Sequence, residues 1–200
     1  MLLEGKGLGF RYARGPWLFR QLDIAIQAGE VVGLTGPSGC GKTSLGRLLA
    51  CYEQPLEGTI LLNGHPLPKE GHHPVQLVFQ HPEKAVNPRW RMHRTLTEGW
   101  KPDETMLERF GIRTEWLYRW PNELSGGELQ RFCIARALGP QTKYLIADEM
   151  TTMLDAITQA QIWQAVLDIA MERNLGVLVI SHERSLIQRL CSRVINWAAD

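Results

Sequence analysis

Apolar residues recur at two different periods along the chain, and the period changes several times. Short runs that are apolar throughout or at every second position predict strands over residues 7–12, 22–26, 30–35, 58–62, 75–79, 144–147, 176–180 and 193–197. Stretches with apolar residues three or four positions apart predict helices over 42–52, 158–174 and 184–191. Because strands alternate with helices from residue 144 onwards, the pattern predicts an α/β fold with a mainly parallel sheet covered on both faces.

The segment from about residue 81 to residue 140 departs from this alternation. It holds four of the seven tryptophans and is interrupted by prolines, which break helices into short pieces. We interpret it as a helical insert on the α/β core, packed by its tryptophans. No stretch rich in Ser, Gly or Pro reads as a linker, so residues 1–200 are predicted to form one domain.

Charge and composition narrow the classes of function. The chain has 22 basic and 21 acidic residues, a net charge of +1, so charge suggests neither nucleic acid nor an anionic membrane surface as a partner. No run approaches the roughly 20 apolar residues that a membrane-spanning helix needs. The four cysteines form no Cys-x-x-Cys pair, which is typical of reduced thiols in a cytosolic protein.

Residues 36–43 read G-P-S-G-C-G-K-T and follow a predicted strand directly before a predicted helix. In that context the segment is typical of a phosphate-binding loop, whose glycines let backbone N–H groups converge on phosphate oxygens. Lys42 is predicted to reach the β- and γ-phosphates of a nucleotide, and the Thr43 hydroxyl to ligate Mg²⁺. The predicted nucleotide contacts in this loop are Gly36, Pro37, Ser38, Gly39, Cys40, Gly41, Lys42, Thr43 and Ser44.

Two carboxylates, Asp148 and Glu149, end the apolar strand over 144–147. The edge of a parallel sheet would place both beside the phosphates. Asp148 is then predicted to hold Mg²⁺, and Glu149 to orient and deprotonate an attacking water. The alternative is that the pair merely caps the next segment, but the phosphate loop upstream favours the catalytic interpretation.

Residues 124–131 read L-S-G-G-E-L-Q-R and open another predicted helix. Ser125 is placed as its N-cap, and Gly126 and Gly127 keep the backbone approachable by an anion. One nucleotide has little need of two anion-binding helix starts in a single subunit. A purely structural capping box is the alternative on local sequence alone.

In their order along the chain, these segments together with Gln80 and His182 resemble the nucleotide-binding subunit of an ATP-binding-cassette (ABC) transporter. The resemblance implies a RecA-like P-loop core with an N-terminal antiparallel β subdomain and a helical insert. It also implies that Ser125, Gly126 and Gly127 clasp the γ-phosphate bound by an opposing subunit. The family more often has Gln where this chain has Glu128.

Four single residues carry further implications of the resemblance. Gln80 resembles the loop glutamine that touches Mg²⁺ and water and links the ATP site to the permease. His182 resembles the switch histidine that contacts the γ-phosphate, and Asp155 falls in the loop that crosses the dimer interface. Tyr12 is a candidate for stacking on adenine, with Phe10 as its competitor and core packing as an alternative for both.

The segments F-Q-H-P at 79–82 and A-V-N-P-R at 85–89 resemble the dipeptide, oligopeptide and nickel importer branch of the family. This implies an ATPase that binds ATP and Mg²⁺ and powers import of peptides, nickel or metal-chelate-like solutes. It also implies a homodimer or heterodimer with a second ABC ATPase, permease subunits, an extracytoplasmic solute-binding protein, no nucleic acid, and a position on the cytoplasmic face of the cell membrane.

Two other functions are alternatives on the sequence. The first is a non-transport ABC ATPase acting on nucleic acid or the ribosome, although such proteins usually carry long coiled-coil insertions or two cassettes. The second is a catalytically inactive regulatory subunit, which Glu149 and His182 argue against. Five of the six histidines lie between residues 65 and 93, and His72 and His73 are predicted to lie in a solvated loop rather than to bind metal, because their spacing is not that of zinc ligands.

Overall fold

The computed structural model describes residues 1–68 and 70–197, and its strands form an antiparallel and a parallel sheet. The antiparallel sheet has the order β2-β1-β4-β5 and consists of β1 (Leu2–Phe10), β2 (Phe19–Gln27), β4 (Glu57–Leu62) and β5 (His65–Pro66). The parallel sheet has the order β6-β7-β8-β3-β9 and consists of β3 (Val31–Thr35), β6 (Val75–Val78), β7 (Tyr144–Asp148), β8 (Gly176–Ile180) and β9 (Arg193–Asn196). The predicted fold class is confirmed.

The helices surround the parallel sheet. They are α1 (Lys42–Leu49), α2 (Met92–Leu96), α3 (Glu104–Arg109), α4 (Gly126–Ala137), α5 (Ala156–Arg173) and α6 (Arg184–Leu190), with short 3₁₀ turns at Pro82–Lys84, Thr114–Tyr118 and Pro121–Glu123. The segment predicted as a helical insert thus holds α2, α3, α4 and these turns. Its delimitation as a subdomain over 81–140 stays a prediction. Within the described part of the chain, no helix combines the length and apolar character needed to cross a membrane.

Two apolar cores lie on opposite faces of the parallel sheet. On β7 and β8 the side chains alternate between them, as the period of a strand requires. Leu145 and Val177 pack against the helices on one face, whereas Ile146 and Leu178 pack against α1 and the antiparallel sheet on the other. All ten residues of these two strands are buried, which explains their continuous apolar sequence.

Element boundaries differ from the predicted ones where tertiary contacts decide them. Strand β1 begins at Leu2 rather than at residue 7, because residues 2–5 pair with β2 and residues 3–5 also pair with β4. Glu4 and Lys6 obscure that pairing in the sequence pattern. Helix α5 begins at Ala156, since the Asp155 side chain accepts hydrogen bonds from the backbone N–H groups of Ile157 (3.1 Å) and Thr158 (3.0 Å).

Three of the four tryptophans of the helical segment are at least half-buried. Trp116 is buried, and the half-buried Trp100 donates from Nε1 to the carbonyl of Arg136 at 2.9 Å. Trp90 is also half-buried, beneath the Arg94 guanidinium, whereas Trp120 is exposed. Packing of the segment therefore accounts for part of the tryptophan content only.

Candidate nucleotide site

The loop between β3 and α1 takes a backbone conformation that suits glycine. Gly39 has φ 81° and Gly41, the N-cap of α1, has φ 103°. Both lie in the left-handed region, which is costly for residues with a Cβ. A Cβ at Gly41 would also stand 3.1 Å from the ring of Phe19. The backbone angles therefore favour glycine at both positions, and the contact with Phe19 favours it further at Gly41.

Lys42 places its ammonium group inside this loop. Its Nζ donates to the carbonyls of Gly36 at 2.9 Å and Pro37 at 2.7 Å, and lies 3.7 Å from Cys40 Sγ. The residue is 8% exposed, and in the described part of the chain no carboxylate forms a salt bridge with it. A largely buried cation without a salt-bridge partner is well suited to a phosphate anion.

Thr43 and Asp148 form the second part of the site. The Thr43 hydroxyl donates to Asp148 Oδ1 at 3.1 Å, joining the start of α1 to the end of β7. Asp148 is buried, and burial raises the pKa of its carboxyl above the ordinary value while the hydrogen bond from Thr43 lowers it. A hydroxyl and a carboxylate side by side are oxygen ligands of the kind that Mg²⁺ prefers.

Glu149 is held on three sides. Its backbone has φ 49°, an uncommon value for a residue with a Cβ, and its N–H donates to the carbonyl of Ile180 at 3.0 Å. Gln80 Nε2 donates to Glu149 Oε2 at 3.1 Å, and His182 Nδ1 lies 3.0 Å from Glu149 Oε1. The structure thus brings the three predicted catalytic residues into direct contact, and their roles stay predictions.

These groups meet at a cleft of about 340 Å³. Its lining consists of Tyr12, Leu18, Ser38, Gly39, Gly41, Lys42, Thr43, Ser44, Gln80, Glu149 and His182. The Tyr12 side chain is 47% exposed and its hydroxyl lies 3.1 Å from Ser44 Oγ, whereas Phe10 is buried in the core. Of the two candidates for contact with a nucleotide base, the structure places only Tyr12 at the cleft.

Three larger cavities are less suited to this chemistry. One of about 820 Å³ lies beyond the end of α1, between β4 and β6, and one of about 760 Å³ lies on the far side of Gly36 and Pro37. The smallest of them, of about 510 Å³, is lined by residues of β1 and β2, from Glu4 to Lys6 and from Asp23 to Ala25. None of the three is lined by Lys42, Thr43 or Glu149. The smaller cleft is therefore the candidate site.

The segment L-S-G-G-E begins α4 away from this cleft. Ser125 Oγ accepts from the backbone N–H of Glu128 at 3.3 Å, and Glu128 Oε2 accepts from the backbone N–H of Ser125 at 2.7 Å. The capping box weighed as an alternative is therefore present. Ser125 and Gly126 are exposed, and neither these two residues, Gly127 nor Asp155 lines the cleft of their own chain. Of the predicted nucleotide contacts, Tyr12 and most of the 36–44 loop line the cleft, whereas Ser125, Gly126, Gly127 and Asp155 lie elsewhere.

Two contacts at the site were not foreseen. Thr152 Oγ1 donates to the carbonyl of Glu149 at 2.8 Å and lies 3.4 Å from Gln80 Nε2. Gln130 Nε2 donates to the carbonyl of Phe79 at 3.2 Å. Gln130 belongs to the 124–131 segment, but a contact between residues 51 positions apart leaves no signal in a single sequence.

The histidines between residues 65 and 93 are spread over β5, the loop before β6, the residue before the 3₁₀ turn at Pro82–Lys84, and α2. Within residues 1–68 and 70–197, no group of three or more His, Cys, Asp or Glu side chains is placed to hold a metal ion. His73 is half-buried and lies 2.8 Å from the carbonyl of Val75 through Nδ1, so it is less solvated than predicted.

Comparison with known proteins gives consistent results. The family model described as ABC transporter matches residues 19–152. The chain is 34% identical over 221 residues to the nickel import ATP-binding protein NikE of Shigella sonnei, covering 97% of this chain and 82% of that protein. It is 36% identical over 191 residues to the NikE of Rhodospirillum rubrum, covering 86% and 69%. It is 34% identical over 208 residues to the nickel import system ATP-binding protein NikE of Staphylococcus aureus N315, covering 97% and 85%.

Solved structures share the fold. The ATP-binding cassette MJ0796, in a dimeric post-hydrolysis state bound to ADP and Pi, superposes with a TM-score of 0.82 at 23% identity, covering 97% of this chain and 93% of that one. The cbiO1 protein of Clostridium perfringens, part of the ABC transporter complex cbiONQ, superposes with a TM-score of 0.78 at 22% identity, covering 97% and 83%.

Proposed function

This chain belongs to the ABC transporter family, and from this premise we propose that it is the ATP-hydrolysing subunit of a nickel importer. It is an ATP-binding ATPase with the fold of the ABC cassettes. The observation that carries the proposal is the position of Glu149, whose carboxylate is held by Gln80 and His182 at the cleft that contains Lys42.

In the proposed reaction, Lys42 and the loop backbone bind the β- and γ-phosphates of ATP. Glu149 accepts a proton from a water molecule as the water oxygen bonds to the γ-phosphorus. The bond from that phosphorus to the bridging oxygen breaks, leaving ADP and inorganic phosphate. His182 contacts Glu149 through Nδ1, which leaves Nε2 for a γ-phosphate oxygen.

Mg²⁺ fits the residues present, because the Thr43 hydroxyl and the buried Asp148 carboxylate lie 3.1 Å apart beside the loop. Thr43, Asp148 and Gln80 are the residues proposed to hold it. When bound, Mg²⁺ neutralises charge on the phosphate oxygens during hydrolysis. Among residues 1–68 and 70–197, the one hydrogen bond to the Asp148 side chain comes from Thr43, which leaves its other oxygen for the ion.

We infer that a second subunit supplies further contacts to the γ-phosphate. Ser125, Gly126 and Gly127 lie outside the cleft of their own chain, at the start of α4. An exposed helix start with two glycines is an anion-binding surface that needs a ligand from elsewhere. Two copies arranged head to tail would each supply this surface to the ATP held by the other, with Asp155 at the interface.

The relatives support a proposal for the cargo and for the remaining partners. Several curated relatives at 33–36% identity are nickel import ATP-binding proteins. This narrows the proposed cargo from peptides, nickel and metal chelates to nickel. Permease subunits and an extracytoplasmic solute-binding protein would select the cargo, and the chain would act on the cytoplasmic face of the membrane. Gln80 and the helical segment would pass the motion to the permease.

Nickel uptake by cells tests the proposal. A strain lacking this chain is complemented with the wild type, with Glu149→Gln, or with Glu70→Gln as a control at an exposed position before β6, outside the helical segment. We expect radioactive nickel to accumulate with the wild type and the control but not with Glu149→Gln at equal expression. Equal nickel uptake with and without the chain, while the purified protein hydrolyses ATP, would remove nickel from the proposal and leave the ATPase intact.

A further inference from the structure

One face of α4 is joined to the segment that follows Gln80 by a regular row of hydrogen bonds. The donors are side chains three positions apart on the helix, and the acceptors are backbone carbonyls three positions apart along the segment. The bonds are Gln130 Nε2 to Phe79 O (3.2 Å), Cys133 Sγ to Pro82 O (3.9 Å) and Arg136 Nη2 to Ala85 O (2.8 Å). Residues three apart share a helix face, so the row is a single contact surface.

The middle bond depends on a protonated thiol. Burial raises the pKa of Cys133 to about 11, so the thiol keeps its proton and can donate to Pro82. Arg136 also donates to Glu98 at 2.9 Å, which fixes the end of the row to the segment after α2. The helix and the segment are therefore joined along the whole length of the row.

Gln130 is the unusual member of the row. It is 2% exposed, and within the described residues its Oε1 atom has no hydrogen-bond partner. A buried amide with one unsatisfied oxygen is less favourable than an apolar side chain of similar volume. Packing of the core therefore does not account for a glutamine at this position, whereas its bond to Phe79 does.

The bond to Phe79 acts on the peptide that precedes Gln80. That carbonyl belongs to the peptide group joining Phe79 to Gln80, and Gln80 Nε2 donates to Glu149 at 3.1 Å. The same helix that carries Gln130 begins at Ser125. Gln130 thus connects the start of α4 to the carboxylate of Glu149 through the Phe79–Gln80 peptide.

We propose that Gln130 is a positioning residue for ATP hydrolysis, which holds the Phe79 carbonyl and thereby aims Gln80 at Glu149. The direction of the Gln80 side chain then depends on the position of α4. Binding of a ligand at Ser125 therefore changes the contact between Gln80 and the Glu149 carboxylate. The inference rests on the proposed function of Gln80 and Glu149.

Gln130→Met tests it, because methionine has a similar volume and no N–H. We expect kcat for ATP to fall about ten- to a hundredfold, as misplaced catalytic groups produce, while KM changes less than about twofold. The unfolding temperature should stay within about 4 °C of the wild type. Gln76→Met is the matched control, since Gln76 Nε2 also donates to a backbone carbonyl, that of His73 at 2.7 Å, but on β6 away from the site. The control should keep the wild-type kcat.

A double-mutant cycle distinguishes positioning from general damage. If Gln130 acts through Gln80, Gln130→Met should cause no further loss of kcat in a Gln80→Ala background. Multiplying losses, or a wild-type kcat in Gln130→Met, would overturn the inference while leaving the proposed function in place. A wild-type kcat in Gln80→Ala would instead remove the premise. Should the methionine variant fail to fold, Gln130→Asn, whose shorter amide falls short of the Phe79 carbonyl, must show the same loss of kcat.

Discussion

His182 Nδ1 lies 3.0 Å from Glu149 Oε1, between the ends of the neighbouring parallel strands β8 and β7. Gln80 holds the other carboxylate oxygen, at the end of the next strand, β6. The two strands that flank β7 therefore each deliver one polar side chain to the carboxylate that follows β7. This convergence explains how residues separated by 69 and 33 positions in sequence form one site.

Removing the imidazole should impair turnover more than nucleotide binding. In His182→Ala, Glu149 keeps its bond to Gln80 but loses the second contact, and the γ-phosphate loses a donor. We expect kcat to fall about 10²–10³-fold, the usual effect of removing a donor to developing charge, with a smaller change in KM. Steady-state ATPase kinetics measure both, and His65→Ala, at an exposed residue on β5, is the control.

An unchanged kcat in His182→Ala would show that the imidazole has no part in hydrolysis. The contact with Glu149 would then be structural only.

Asp148→Asn should raise stability while removing activity. Burial makes the pKa of Asp148 higher in the folded than in the unfolded protein, so losing its proton destabilises the fold as pH rises through the folded-state pKa. Asparagine stays uncharged at every pH, and its side-chain carbonyl oxygen can still accept a hydrogen bond from Thr43. We expect a higher unfolding temperature than the wild type at neutral pH, and no difference below about pH 3.9.

The same variant should lose ATPase activity at least about a hundredfold. Asp168→Asn, at a half-buried position of α5 where the side-chain oxygen can still accept from Gln164, should change neither property. A lower unfolding temperature for Asp148→Asn at neutral pH would contradict the assigned direction of the pKa shift.

Alkylation of Cys40 should block nucleotide binding, because its sulfur lies within the phosphate loop, 3.7 Å from Lys42 Nζ. Burial raises the pKa of Cys133 and Cys191 to about 11 and also raises that of Cys51, so these three thiols should react slowly near neutral pH. Maleimide treatment is expected to abolish binding of a fluorescent ATP analogue, and excess ATP to slow the modification. Cys40→Ser should make binding resistant to maleimide, and equal labelling rates with and without ATP would count against the assignment.

Much of this arrangement was predictable from sequence because its signals are local. The glycines of the 36–43 loop reflect its own backbone, and Asp148 directly follows four buried apolar residues of β7. In contrast, Phe10 and Tyr12 could not be separated by sequence, since period-two alternation puts both on one face of a strand. The structure ends β1 at Phe10, which leaves Phe10 in the core and Tyr12 at the cleft.

Contacts between distant segments were the part that sequence reasoning could not supply. Thr152 and Gln130 contribute hydrogen bonds whose partners depend on how helices and strands pack in three dimensions. The early start of β1 has the same origin, because pairing with β2 and β4 outweighs the polar residues within it. Sequence identified the residues that carry the chemistry but missed some of those that position them.

The central claim is that each ATP is held between the Lys42 loop of one subunit and the Ser125 helix start of a second copy. Light scattering of Glu149→Gln, with and without Mg·ATP, tests it most directly, because removing the base should permit binding but prevent hydrolysis. We predict that the mass doubles from 22.7 kDa only when Mg·ATP is present, and that adding Ser125→Arg prevents the doubling while ATP still binds. A protein that binds ATP and remains at 22.7 kDa would contradict the claim.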